Sequence, residues 1–296
     1  MEVKKKDYAI DYVVPMVFPD DEEWRRDFIM YAYRYDEGDV RYRSWGTERT
    51  LVRLVKKNMP WIRTIYVILA RESQKKAWMD EEGVRVVYHH EFIPEKFLPT
   101  FNSMTIEMFL KDIPGLSERF IYGNDDMFPL SPLKKTDFFY KGKPCIVMEQ
   151  YHYPNNPNVF QMSCMSGLNF VGEEFGMVFS DVWYKNGHSI APILKSTCEH
   201  LWEIGADRIE KASSRFRNVM NFSQYIYSWW HYLSGEYVER APEHTYVSVT
   251  RPVVEIIDAI HKGGIVCVND NEKLSDHSVY AVEVRKALEE SLNKEV

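Results

Sequence analysis

The sequence has no C-x-x-C pair, and its four cysteines, Cys145, Cys164, Cys198 and Cys267, are scattered without metal-ligand spacing. They are expected to be reduced thiols in or near the core of a cytoplasmic protein. The nine histidines include no H-E-x-x-H, so no zinc signature is present. No apolar run is long enough to span a bilayer. The opening "MEVKKKDYAIDYVV" starts basic but lacks the apolar stretch of a signal peptide. The expected compartment is therefore the cytoplasm, with a peripheral contact at the inner face of the membrane left open. An excess of basic charge is also missing. The net charge is −7, which argues against a nucleic-acid surface. An anionic ligand would have to be met by a local basic cluster or by a metal. Internal repeats and low-complexity linkers are absent as well. What remains is 296 residues, 45% hydrophobic and 15% aromatic, enough for a sizeable folded core.

Strand and helix signals alternate through the first half. "YAIDYVVPMVF" (8–18), "RTIYVILA" (63–70), "VRVVY" (84–88) and "RFIYG" (119–123) read as strands, and "RTIYVILA" is apolar enough to be covered on both faces. Helices are expected at 47–59 and at 102–113, the second capped by Asn102 or Ser103 and stopped before Pro114. This alternation predicts an α/β fold with a mainly parallel sheet flanked by helices. Residues 151–190 read as loop-rich, and two aromatic-rich helices follow near 193–204 and 221–234. A last helix–strand–helix piece carries "IVCVND", whose strand at 264–268 is expected to rejoin the core sheet. The whole, 1–296, is expected to be a single catalytic domain. Residues 1–150 form its ligand-binding α/β half, 151–245 a helical insertion and 246–296 a C-terminal segment.

Open sheets of this kind bind ligands outside the carboxyl ends of their strands. "FIYGNDDMF" (120–128) puts Asn124, Asp125 and Asp126 at such an end, and "VCVND" puts Asn269 and Asp270 at another. Alone, "GNDD" is as compatible with a turn whose Asn and Asp bond their own backbone. The functional alternative is a site for a hard divalent cation, which takes carboxylate oxygens and shares its remaining positions with phosphate and water. His89 and His90 leave a strand and are as readily structural as functional; His188 sits in a loop before a helix, where a lone histidine is more often structural or exposed than catalytic. Arg215 and Arg217 in "SSRFRN" form either a solvated pair or an anion clamp. "WWHY" (229–232) reads as core packing rather than a sugar platform.

Taken in order, "DYVVPMVFPDDEEW", "RYRSW", "MPWIRTIYVI", "VVYHHEFIPEKFLPTFNSMTIE", "IPGLSERFIYGNDDMF", "TDFF", "HSIAPILKSTCEHLWE", "SSRFRN" and "VCVND" resemble the four blocks of the Stealth proteins. The block from Arg41 to Phe139 is the most specific. The first block departs from the family, which commonly has Trp-Val-Asp-Gly before Ser-Asp-Pro where this chain has Met16, Val17, Phe18, Pro19, Asp20 and Asp21; Asp11 and Trp24 match.

The resemblance implies a nucleotide-sugar-transferase-like (GT-A-like) core and a sugar-phosphate transferase using Mg²⁺ or Mn²⁺. A nucleoside diphosphate sugar would be the donor and a hydroxyl of a surface glycan the acceptor. The acceptor could be lipid-linked, hence the membrane contact. The resemblance further implies Asp125, Asp126 and Asp270 at the metal, directly or through water. Asp126, His188 and Arg217 would be catalytic, with His188 as general base. Asp11, Arg43, Asn102, Asn124 and Arg215 would hold the donor. Two other classes stay open: a glycosyltransferase that moves the sugar alone, and a non-catalytic glycan- or nucleotide-binding protein.

Overall fold

A computed structural model of the chain describes residues 8–32, 40–271, 274 and 277–294. The basic opening stretch, 1–7, lies outside the described residues. β1 (Ile10–Pro15) is followed by α1 (Glu22–Tyr31), α2 (Glu48–Asn58), β2 (Ile65–Leu69) and β3 (Val84–Tyr88). Next come α3 (Ser103–Met108), β4 (Arg119–Tyr122), β5 (Met127–Pro129), α4 (Lys135–Phe138), β6 (Phe139–Tyr140), β7 (Lys143–Ile146) and β8 (Glu149–His152). The middle holds α5 (Val159–Gly172), β9 (Val182–Lys185), β10 (Ala191–Leu194), α6 (Lys195–Ala212) and α7 (Tyr225–Ser234). β11 (Val238–Glu239), β12 (His244–Ser248), α8 (Val253–Lys262), β13 (Ile265–Asn269) and α9 (His277–Asn293) follow.

The central sheet has the order β10-β4-β1-β2-β3. β1 through β4 are parallel, as the alternation requires, and β10 closes one edge antiparallel. The period of two along a strand sorts its side chains between two cores. Ile10, Tyr12, Val14, Ile65, Val67 and Leu69 face a core shared with α2, α8 and α9. Val13, Tyr66, Ile68, Phe120 and Tyr122 face the other, shared with α3, α5, α6 and α7. Both faces are covered, which is why β2 reads as a continuous apolar run. All four cysteines are buried and unbridged.

Two expectations are corrected. β13 does not join the central sheet. It pairs parallel with β12 and antiparallel with β5, in a separate three-stranded sheet. The edge beside β4 is already taken by β10, an edge strand that tolerates Pro192 and was hidden in a Pro- and Gly-containing stretch. Within 151–190, read as loop-rich, lies the helix α5. Its start is a reciprocal cap: Asn158 Oδ1 accepts from Gln161 N and Gln161 Oε1 accepts from Asn158 N, both at 2.9 Å. Among the described residues no helix is long and apolar enough to cross a membrane.

Candidate active site

β4 ends against a constraint. The Gly123 N–H bonds Val13 O at 3.0 Å, extending the sheet by one residue. A Cβ at Gly123 would lie 2.2 Å from the Tyr12 hydroxyl and 2.8 Å from Ile190 Cγ2, so only glycine fits. Asn124, Asp125 and Asp126 then bridge from the central sheet to the small one. Asn124 O accepts from Met127 N at 3.2 Å, and Asp126 O accepts from Val268 N at 2.9 Å. With the backbone tied on both sides, these residues border a cleft of about 280 Å³. The cleft lies where the carboxyl ends of the sheet predict it. Its walls include Met16 and Val17 after β1, Ala70 after β2, His89 after β3 and Asp270 after β13.

The two adjacent carboxylates are electrostatically unsettled. Burial, reinforced by Asp126 and Glu48, pushes Asp125 up to about 8. Burial also raises Asp126, against the pull of His188. Asp126 Oδ2 accepts a weak bond from Cys267 Sγ at 3.3 Å, while Oδ1 is buried without a partner, as is the Tyr12 hydroxyl. His188 is held below its ordinary value by burial, with Asp126 drawing it back up. Its ring stands edge-on to Tyr246 at 5.6 Å. A carboxylate pair with an orphaned oxygen and unmet negative charge fits a hard divalent cation. Asp126, His188 and Cys267 also bring one ligand atom each within 4.8 Å of one another. That mixed set would suit a softer ion.

Seven of the residues singled out from sequence meet in this cleft: Arg43, Asn124, Asp125, Asp126, His188, Arg217 and Asp270. Arg217 and His188, far from the aspartates in sequence, are brought to the sheet edge as the blocks imply. Arg217 Nη2 donates to Ser103 Oγ at 2.6 Å. Three of the other assignments, Asp11, Asn102 and Arg215, are placed away from the cleft. Asp11 is fully buried at the opposite, amino-terminal edge. Its oxygens accept from Arg63 Nε at 2.8 Å, Arg63 Nη2 at 2.5 Å and Ser117 N at 2.8 Å. It ties strand starts together and cannot reach a donor in the cleft.

Asn102 is also fully buried. Its Oδ1 caps α3 through Met104 N at 3.1 Å, and its amide donates to Ser214 O at 3.1 Å and Asn221 Oδ1 at 3.0 Å. Arg215 donates to Pro99 O and Leu98 O, both at 2.8 Å, and its guanidinium lies over the Tyr31 ring. These two residues lash "SSRFRN" to the start of α3, with Phe216 stacked on Phe101 at 5.1 Å, and so position Arg217. Asp270 reaches the cleft, but its oxygens are closed by Arg43 Nε at 2.8 Å, Arg43 Nη2 at 2.5 Å, Trp45 Nε1 at 2.8 Å and Asn271 N at 2.6 Å. It clamps Arg43 at the wall of the cleft.

Of the other candidates, His89 is largely buried at the cleft wall, and burial pushes it down to about 3. Trp229 is core, its indole donating to Tyr184 O at 2.6 Å. The sequence reading missed Glu107. This buried carboxylate accepts from Tyr122 Oη at 3.1 Å and Gln224 N at 2.6 Å, and burial pushes it up to about 7, with Arg217 pulling down. Its signal was available: in "NSMTIE" it lies one helical turn after Ser103, on the same face.

Residues 41–146 match the conserved region 2 of the Stealth proteins. The receptor polysaccharide phosphotransferase WefC of Streptococcus oralis is 28% identical, over 96% of this chain and 97% of its own. The capsular polysaccharide phosphotransferase fcs1 of Haemophilus influenzae is 30% identical, over 77% of this chain and 67% of its own. A crystal structure of the galactosyltransferase LgtC with donor and acceptor sugar analogues aligns over 97% of both chains, with 12% identity and a TM-score of 0.47. The class is that of an α/β transferase enzyme. Within it, the chain belongs to the Stealth family.

Proposed function

We propose that this enzyme transfers a sugar-1-phosphate from a nucleoside diphosphate sugar to a hydroxyl of a bacterial surface glycan. The acceptor oxygen attacks the sugar-linked phosphorus. The bond from that phosphorus to the bridging oxygen breaks, and nucleoside monophosphate leaves with that oxygen while a phosphodiester forms. His188 takes the acceptor proton, being held neutral by burial, and Asp126 beside it stabilises the resulting imidazolium. Arg217, fixed by Ser103, meets the phosphoryl oxygens with a rigid fork of donors. Asn124 offers an amide at the same edge. Asp125 and Asp126 would hold Mg²⁺ or Mn²⁺, which when bound neutralises the pyrophosphate charge. The proposed catalytic residues come from the first and middle segments of the chain.

The observation that carries this reading is the meeting, in a Stealth chain, of Asp125 and Asp126, the latter with one buried oxygen unpartnered, with His188 and Arg217 in one cleft. The test is incubation with a panel of nucleotide sugars and glycan acceptors, with phosphorus NMR of the products. A new phosphodiester with nucleoside monophosphate is expected. Release of nucleoside diphosphate would make the protein an ordinary glycosyltransferase, and absence of any turnover would make it a binding protein.

A further inference from the structure

A second cavity, of about 530 Å³, lies beside the first. Ser103, Asn124, His188, Arg217 and Asn269 border both, so the proposed base and clamp stand between them. The chemistry of the two differs. The first is walled by Asp125, Asp126, Asp270, Arg41 and Arg43. The second is walled by Tyr151, Tyr225 and Tyr246 with Lys185, Ser223 and Gln224. Besides Tyr122 of β4, its walls come from outside the central sheet, among them the β8–β9 ribbon, the approach to α7 and β12. We propose that this second cavity binds the acceptor glycan, its terminal pyranose lying on the rings of Tyr151 and Tyr246 with one hydroxyl turned toward His188.

Four observations carry this. First, displacement at phosphorus places nucleophile and leaving group on opposite sides. With the donor pyrophosphate against the aspartates, the acceptor must arrive from the far side of His188 and Arg217. Second, Tyr151 and Tyr246 keep 37% and 51% of their surface exposed, although aromatic side chains ordinarily bury their rings. Tyr246, which His188 meets edge-on, and the part of the Tyr151 ring that Trp183 and Lys185 leave exposed suit the apolar C–H face of a sugar. Third, the Ser223 Oγ and Gln224 Oε1 on its wall are buried without partners, an arrangement that a polyhydroxylated ligand can satisfy. Fourth, Lys185 is partly buried over the Tyr151 ring at 5.9 Å, giving the cavity a further donor. His188 contacts Tyr246, so a sugar on that ring is within reach of the base. A cavity of this size falls in the roughly 300–1,000 Å³ range of ligand clefts.

The inference rests on the phosphotransferase reading, and its test separates the two. Product analysis of the parent protein decides the reading first, by nucleoside monophosphate against diphosphate. Steady-state kinetics of Tyr151→Ala and Tyr246→Ala then follow, using as acceptor whichever methyl hexoside or methyl N-acetylhexosaminide best supports transfer. The acceptor KM is expected to rise about tenfold or more with donor KM within about twofold. Tyr246→Phe, which keeps the ring, should restore most of the loss. Saturation-transfer NMR on the parent gives a reading without substitution: irradiating protein aromatic protons should label the acceptor's ring protons, and added nucleotide sugar should leave that signal in place. A raised donor KM with unchanged acceptor KM would overturn the inference, as would displacement of the acceptor signal by nucleotide sugar.

Discussion

Two strand ends of this chain carry the same Asn-Asp pair and use it in opposite ways. After β13, Asp270 is closed by Arg43, Trp45 and the Asn271 amide, and its charge is neutralised within the fold. After β4, Asp126 keeps one oxygen with no partner, and Asp125 is displaced upward by burial and by its neighbours. A further aspartate, Asp11, is fully buried and closed by Arg63 at the far edge of the sheet. The lesson is that a buried carboxylate with a full set of donors holds the fold, whereas one left short is available for chemistry.

Substitution should break this contrast most sharply at the open end. Asp126→Ala is expected to lower transfer by about a thousandfold or more while the metal-free protein keeps its thermal midpoint. His188→Ala should reduce the chemical step by about a hundredfold, with donor binding nearly intact. Arg217→Lys should also be severe in single-turnover kinetics, because a point charge replaces a fork. At the closed ends the pattern reverses. Asp11→Ala and Asp270→Ala each leave an arginine without its carboxylate and should cost about 2–4 kcal/mol in urea unfolding. Asp11→Ala should retain near-parental turnover per folded molecule, since its site lies at the opposite edge from the cleft.

The smallest expected effect sharpens the comparison through pH. Glu107 accepts two hydrogen bonds, yet burial holds it at about 7, above the usual carboxylate range. The folded state therefore binds a proton that the unfolded chain has already released between about pH 4.5 and 7. Its contribution to stability is full below that window and is lost as pH rises through it. Glu107→Gln should flatten the decline of the thermal midpoint between pH 5 and pH 8. An unchanged slope would assign the pH dependence to other groups.

Much of the parallel core was legible because strand and helix patterns alternate and β2, buried on both faces, carries an unbroken apolar run. The acidic ends were legible because Gly123 interrupts such a run and leaves Asn and Asp at a sheet edge. What stayed hidden depended on partners far away in sequence. Nothing in "VCVND" tells that Arg43 and Trp45 will close Asp270, and nothing in "SSRFRN" separates Arg215, bound to the Leu98 and Pro99 carbonyls, from Arg217 at the cleft. β10 escaped because one edge strand needs only a short apolar run and tolerates proline. The tyrosine-lined cavity escaped because many separate segments build it, none with a pattern of its own. α5, by contrast, was announced by the Asn158–Gln161 cap and was passed over for its Pro- and Asn-rich lead.

The central claim is that the open aspartates, and not the closed one, form the metal end of the catalytic centre. Electron paramagnetic resonance of Mn²⁺ titrated into parent, Asp126→Asn and Asp270→Asn proteins tests it most directly. The account expects the parent and Asp270→Asn to quench the free-ion signal alike, with Asp126→Asn at least tenfold weaker. Loss of Mn²⁺ binding in Asp270→Asn with retention in Asp126→Asn would contradict it.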